Sequence, residues 1–351
     1  LNPKCEEDVF IDLPGEFGCP EGSCGKLVYW LYGFRPAAAA WEKFYSDILE
    51  EAGFSRGIYC GVDFYHPQRD LTLVVHGDDF TAVGLDEDLS WLQNLMESKF
   101  EIQVRGRLGP ETGDLKQISI LGRKVRWTDR GIEFEADPKH RDLVLDYFGF
   151  TENTKGLSWS GSKDDADEPG DDEPLDTRET KQYRGINFAS QDHPVLQFAS
   201  RAAAREMANL VRGSILRLKR LARFLVGCKR VVWKYGYQEE PTRSVVYTDS
   251  DWGGGLQDRR STSGGCWLLG DHCIKTWSST QGAFALSSAE AALYGMVEGA
   301  TRARGMITLA KEMGFHSLGD KITLATDSSA AQSFVNRRGI GRMRHLAIRD
   351  L

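Results

Sequence analysis

The 351-residue chain is 41% hydrophobic and 11% aromatic, which suits real cores and excludes a disordered chain; its length is a soft prior for two domains. A net charge of −7 excludes a globally basic nucleic-acid binder, so such a function would have to rest on local basic surface. No window reaches the roughly 18 apolar residues of a membrane span, and no signal-peptide pattern opens the chain. Seven irregularly spaced cysteines argue against a disulfide framework and suit a reducing, intracellular compartment. Cys19 and Cys24 share a Pro/Gly-rich loop, but no His/Cys pair follows at zinc-finger spacing, so they read as loop thiols. Without an initial Met, and ending inside a basic, helix-like run, the sequence reads as an excised segment.

In chain order, residues 1–30 are loop-rich, and the spacing of Trp41, Phe44, Tyr45, Ile48 and Leu49 predicts a helix from Ala37 that stops at Gly53. Leu71–His76 and Phe80–Gly84 flank Gly77-Asp78-Asp79, a hairpin that sets two adjacent acids at its tip. A second amphipathic helix follows at 87–100, then strands at 118–122 and 124–127 and a short helix at 138–148 that begins with Pro138. Residues 1–150 thus form an α+β unit, and 151–182 are an acidic Asp/Glu/Pro/Gly linker, with a regulatory tail as the alternative. Residues 183–243 read as a helical connection. In it Arg201–Lys229 is helical, and its arginines and lysines are either a solvated face or a phosphate-tracking surface.

From 244 onward the pattern predicts three antiparallel strands (Ser244 to about Gly254, Ser263–Gly270, His272–Trp277). Helices near 288 and 303–313, a parallel return strand at 321–326 and a closing helix complete an α/β layer. Val245, Tyr247 and Asp249 share one strand face, and Ile322-Thr-Leu-Ala-Thr-Asp327-Ser-Ser repeats the Thr-Asp-Ser strand ending. Two such carboxylates converging at one sheet edge repel by roughly 4 kcal/mol at about 4 Å and an effective dielectric near 20, which a divalent cation relieves. Ser287-Ser-Ala-Glu290 fits a capping box, yet Glu290 also heads the stripe of Leu293 and Val297, where a buried charge needs a partner or a metal. With Asp249 and Asp327 it forms an oxygen-rich set of the kind Mg²⁺ requires.

The order strand-Asp249, helix-Glu290, strand-Asp327 is similar to ribonuclease H. Five blocks resemble the version in Ty1/copia retrotransposon polyproteins: Tyr247-Thr-Asp-Ser-Asp-Trp-Gly253, Asp258-Arg-Arg-Ser-Thr-Ser-Gly264, Trp277-Ser-Ser, Ala285-Leu-Ser-Ser-Ala-Glu-Ala291 and Ala325-Thr-Asp-Ser-Ser-Ala330. Leu31-Tyr-Gly-Phe-Arg, Trp41 and the Asp-Asp hairpin resemble the reverse transcriptase palm of the same elements, and the middle helices resemble its connecting region. The likeness implies a Pol fragment: a palm-like unit short of its N-terminal part (1–150), the linker, the connection, and a C-terminally shortened ribonuclease H-like domain (244–351).

What that resemblance implies is metal-dependent hydrolysis of the RNA strand of RNA/DNA hybrids. Two Mg²⁺ or Mn²⁺ ions per site would be held by Asp249, Glu290 and Asp327 as catalytic residues. Asp78 and Asp79 would serve a polymerase site that takes template-primer, and dNTPs only when completed. The family's first polymerase Asp lies before the Leu-Asn that starts this chain, His76 replaces the usual Tyr, and Pro36, Ala38 and Ala39 replace Gln, Pro and Arg. Residues 1–351 are therefore expected to lack polymerase activity. Ala347 stands where a fourth acid belongs, with Asp350 as its substitute ligand. Arg259, Arg260, Ser278, Ser279, Arg344 and His345 are the implied nucleic-acid contacts, and Asp251 is given a loop role. The family further implies other polyprotein parts as partners and a cytoplasmic particle or the nucleus as location, with no membrane partner. The alternative is a decayed copy that binds nucleic acid without cutting it.

Overall fold

The computed structural model describes residues 3–20, 22–158, 180–205, 207, 210–255 and 259–337. Most of the acidic linker lies outside the described residues, as do Asp258, Arg344, His345, Ala347 and Asp350.

The elements in order are β1 (Phe10–Asp12), β2 (Cys24–Lys26), α1 (Arg35–Glu51), β3 (Ser55–Arg56), β4 (Asp63–His66), β5 (Leu71–His76), β6 (Asp79–Val83) and α2 (Asp86–Lys99). They continue with β7 (Gln117–Ile120), β8 (Arg123–Thr128), β9 (Gly131–Glu135), α3 (Lys139–Tyr147), α4 (Thr180–Ala189), α5 (Pro194–Arg205), α6 (Arg212–Gly227) and β10 (Val232–Gly236). The last are β11 (Ser244–Ser250), β12 (Thr262–Leu269), β13 (His272–Thr280), α7 (Ser288–Glu312), β14 (Ile322–Ala325) and α8 (Ser329–Asn336). This is the expected mixture of α+β and α/β. Contacts divide it into one unit of Leu1–Arg105 with Gly305–His316 and a second of Gly106–Arg304 with Ser317–Leu351, so 106–150 cluster with the C-terminal half.

In the first unit, the antiparallel sheet β3-β4-β5-β6 carries a core of Tyr45, Leu49, Phe54, Phe64, Leu71, Leu73, Val75, Leu92, Met96 and Phe100. Helix α1 starts two residues before its expected position because Pro36 suits a first turn, and Gly53, at φ 102°, supplies the left-handed residue just past its end.

In the second unit, β10-β9-β8-β7 form one four-stranded sheet, in which β10 lies inside the segment expected to be helical. The helical stretch expected over 201–229 is two helices: Val211 is extended at φ −122° and ψ 167°, and its N–H donates to Ser214 Oγ, so a new helix starts at Arg212. Leu210, Leu218, Leu221 and Leu225 are buried as their spacing predicts, with Val144, Ile186 and Leu196 around them. Two basic residues of this stretch serve the fold: Arg205 donates to the hydroxyls of Thr262 and Thr280, and Arg223 to the carbonyl of Lys155.

The other sheet runs β13-β12-β11-β14, three antiparallel strands and a parallel return, as the pattern predicts. Helix α7 is continuous where two helices were expected. Its glycines do not break it but let it approach the sheet: a Cβ on Gly299 would lie 3.0 Å from Val246 Cγ1 and closer still to Thr248 Cγ2. Among the described residues no helix is long and apolar enough to cross a membrane, and all seven cysteines are free thiols.

Candidate functional site

Strand β11 alternates at the two-residue period read from the sequence. Ser244, Val246 and Thr248 are buried, the last two against Gly299 of α7, whereas Tyr247 and Asp249 are exposed and Val245 is only half-buried. Ser244 is tolerated inside because Trp267 Nε1 donates to its hydroxyl at 2.6 Å. The face that carries Asp249 is therefore the outer one.

The parallel pairing of β11 with β14 ends with Tyr247 opposite Ala325; Asp249 lies two residues further along β11, and Asp327 two residues past the end of β14, in the bend that leads to α8. Strands paired this way run about 4.8 Å apart, and both aspartates leave the same, C-terminal end of the pair. At Asp327, Thr326 Oγ1 accepts from Ser328 N–H and Ser328 Oγ accepts from Ala331 N–H, which turns the chain into α8 and leaves the carboxylate outside. Asp249 Oδ1 accepts from Ser250 N–H at 2.7 Å. Gly295 brings α7 against this end, its position 3.5 Å from the Asp249 carbonyl when a Cβ is built there.

Glu290 is 1% exposed. Its Oε2 accepts from Leu286 N–H at 2.8 Å, its Oε1 accepts from Tyr294 O–H at 2.9 Å, and its own N–H donates to Ser287 Oγ at 3.2 Å. This is a variant of the capping box in which the bonded N–H is that of Leu286, one residue before Ser287. The stripe beside it differs from expectation as well: Leu293 is buried, but Val297 is 42% exposed, and Met296 and Gly299 take the inward positions.

The carboxylate donors suit a hard cation by chemistry. By position they do not close a site: among the described residues no group of three or more His, Cys, Asp or Glu side chains stands close enough to hold a metal ion. Both oxygens of Glu290 already accept protein hydrogen bonds, while Asp249 and Asp327 are exposed, one near the end of β11 and one just past β14.

Around this edge, Asp251 has the loop role expected of it. Its N–H donates to the Thr262 carbonyl at 3.1 Å and its Oδ1 accepts from Thr262 N–H, while Gly253 N–H donates to Ser261 Oγ. Arg259, at φ 53°, and Arg260 follow in that loop, with the Arg260 guanidinium 5.2 Å from the centroid of the Phe284 ring. Ser279 donates to Glu298 at 2.5 Å and Ser278 Oγ is buried, so neither hydroxyl is offered to a ligand as expected. Arg344, His345 and Asp350 are outside the described residues. Missed by sequence reasoning were Gln281, which donates to Ser263 Oγ and the Ala291 carbonyl and so ties α7 to β12, and Tyr294, four residues after Glu290 and hence above it on the helix.

In the first unit, the hairpin turn is Gly77-Asp78, because His76 and Asp79 are already paired. Gly77 supplies φ 65° at the first turn position, as a II′ turn requires, and Trp41 Nε1 donates to its carbonyl at 2.8 Å. Asp78 is exposed at the tip, but Asp79 opens β6 and is ion-paired with Arg105 at 2.9 Å.

No family model matches the chain. Its sequence is similar to the retrovirus-related Pol polyprotein from transposon RE1 of Arabidopsis thaliana, with 24% identity over 376 aligned positions that take in 99% of the chain. That match bears out the resemblance to a retrotransposon Pol polyprotein read from the sequence; the chain spans 23% of the relative's length. Among solved structures, the foamy viral protease-reverse transcriptase in complex with dsDNA aligns at a TM-score of 0.48 with 12% identity, covering 91% of this chain and 56% of that one.

Proposed function

We propose that this chain is a segment of a copia-type Pol polyprotein whose C-terminal sheet and helix cleave the RNA strand of RNA/DNA hybrids. The observation that supports this reading is the parallel register of β11 and β14, whose shared end leads into Asp249 and Asp327, with α7 packed at Gly295 against the Asp249 carbonyl and Glu290 buried in the same helix. Asp249 and Asp327 are the residues to hold Mg²⁺ or Mn²⁺ there, and the cation would supply charge compensation at the phosphodiester. In the described arrangement Glu290 supports the start of α7. It joins the pair only by giving up its bonds to Leu286 and Tyr294. Choice of RNA over DNA would rest on the 2′-hydroxyl and hybrid shape. Polymerase chemistry is not part of the reading, since Asp79 is engaged by Arg105 and no third acid joins Asp78 and Asp79 among the described residues.

A second reading, binding without cleavage, is favoured by the engaged Glu290. Incubation of a labelled RNA/DNA hybrid with and without Mg²⁺, alongside a salt titration of binding, separates the two. Cation-dependent cutting of the RNA strand supports the first; salt-sensitive binding with no cutting under either condition supports the second and removes the first.

A further inference from the structure

Among the exposed aromatic side chains of the second unit, two near the carboxylate edge, Trp252 and Phe284, are linked by a hydrogen-bonded frame. Trp252 is 54% exposed and Phe284 56% exposed, although neither residue type is favoured in water. Trp252 lies three residues beyond Asp249 in the loop pinned by the Asp251–Thr262 and Gly253–Ser261 bonds, and its indole N–H donates to the carbonyl of Ala285, the neighbour of Phe284, at 2.9 Å. Arg260 lies over the Phe284 ring, and the preceding Arg259 is exposed with its guanidinium over Gly253, next to Trp252. The indole hydrogen bond fixes the orientation of Trp252 without covering its face, so the ring is held out at no further cost in side-chain freedom on binding.

We propose that Trp252, Phe284 and Arg260 form a stacking platform for unpaired bases of single-stranded nucleic acid, with the Arg259–Arg260 loop facing its phosphates. Flat rings accept any base face, and guanidinium groups match phosphate charge, which is the chemistry of sequence-tolerant single-strand binding. Arginine charge beside the rings selects a polyanion over an apolar protein surface. The inference rests on the reading of this unit as one that handles nucleic acid, but not on cleavage. The platform would hold a single strand that continues past the hybrid, next to the edge where Asp249 and Asp327 stand.

The test uses the full 351-residue chain and two readouts. Anisotropy of a fluorescein-labelled oligothymidylate is expected to show binding weakened about 5- to 100-fold in Trp252→Ala and in Phe284→Ala, with Trp252→Phe near wild type. Binding of a blunt RNA/DNA hybrid should change less than about twofold in the same variants. Independently of any variant, irradiation of the wild-type chain with a 5-iodouracil-substituted single strand should attach it at Trp252 or Phe284, located by mass spectrometry. Unchanged single-strand binding by the folded alanine variants overturns the proposal. So does photo-attachment confined to other residues, which stays decisive when an alanine variant fails to fold. Concentration-dependent self-association lost in Trp252→Ala, without single-strand binding by wild type, assigns the patch to protein contact and overturns it as well. Single-strand binding without hybrid cleavage would leave the platform standing and remove only the cleavage reading.

Discussion

The hairpin of the first unit and the strand edge of the second each present two aspartates, but different structures hold them. At the hairpin a two-residue turn projects Asp78, and Asp79 is tied to Arg105 across a surface where the two side chains are 40% and 63% exposed. At the edge, parallel pairing of β11 with β14 brings the strand ends together, Asp249 following in β11 and Asp327 in the turn after β14, with α7 on Val246 and Thr248. Adjacent acids in sequence thus yield one exposed group and one surface ion pair. Acids 78 residues apart are brought to one edge by parallel pairing. A local motif shows which residue types are present; the sheet decides which of them come to one end of it.

The sharpest way to break the strand edge without touching an acid is to disturb what lies under it. Gly299→Val should cost about 1–3 kcal/mol or more in chemical unfolding, because side-chain atoms there collide with Thr248 and Val246. Gly295→Ala is the control: its nearest neighbour would be 3.5 Å away, an ordinary contact, so the loss should be near zero or reversed by up to about 1 kcal/mol through better helix propensity.

An acid held by partners rather than by register lies between these extremes. The Arg230 guanidinium, helped by Arg126, holds the Glu135 carboxyl down at about 2 against the opposing push of burial. Because its folded value lies below the ordinary 4.5, this stabilisation is complete above about pH 4.5 and is lost as pH falls toward 2. Glu135→Gln should cost about 2 kcal/mol at neutral pH and flatten the acid limb of stability against pH; an unchanged limb would show that the Arg126–Glu135–Arg230 group contributes little. The smallest effect belongs to the hairpin. Asp79→Asn removes an exposed ion pair and should shift stability by less than about 1 kcal/mol in a thermal melt.

Much of this was legible. Periodicity located α1 and α2 within a few residues, turn chemistry located the β5–β6 hairpin, and the three antiparallel strands with a parallel return followed from chain order. The rest depended on contacts that a local window does not hold. Strands β9 and β10 pair across nearly 100 residues, Val232 opposite Glu135. That Val245, Tyr247 and Asp249 share a face was readable, but which face is buried was not, since the inner one carries Ser244 and Thr248 and the bond from Trp267 that satisfies Ser244 is invisible in sequence. Asp249, Glu290 and Asp327 were picked out as residue types, and the parallel pairing that sets the ends of β11 and β14 side by side followed from the order of the elements. The burial of Glu290 was anticipated too, but not its bond to Tyr294, which needs the helix to place one residue over the other.

The central claim is that the strand edge, and not the hairpin, carries the chemistry. Cleavage of one labelled RNA/DNA hybrid in Mg²⁺ by the wild-type chain, Asp249→Asn, Asp327→Asn and Asp79→Asn tests it most directly. The account predicts a loss of at least about 100-fold in each of the first two variants, about 3 kcal/mol of barrier, and less than about a twofold change in the third. Asp249→Asn cutting the hybrid as fast as the wild-type chain would contradict it.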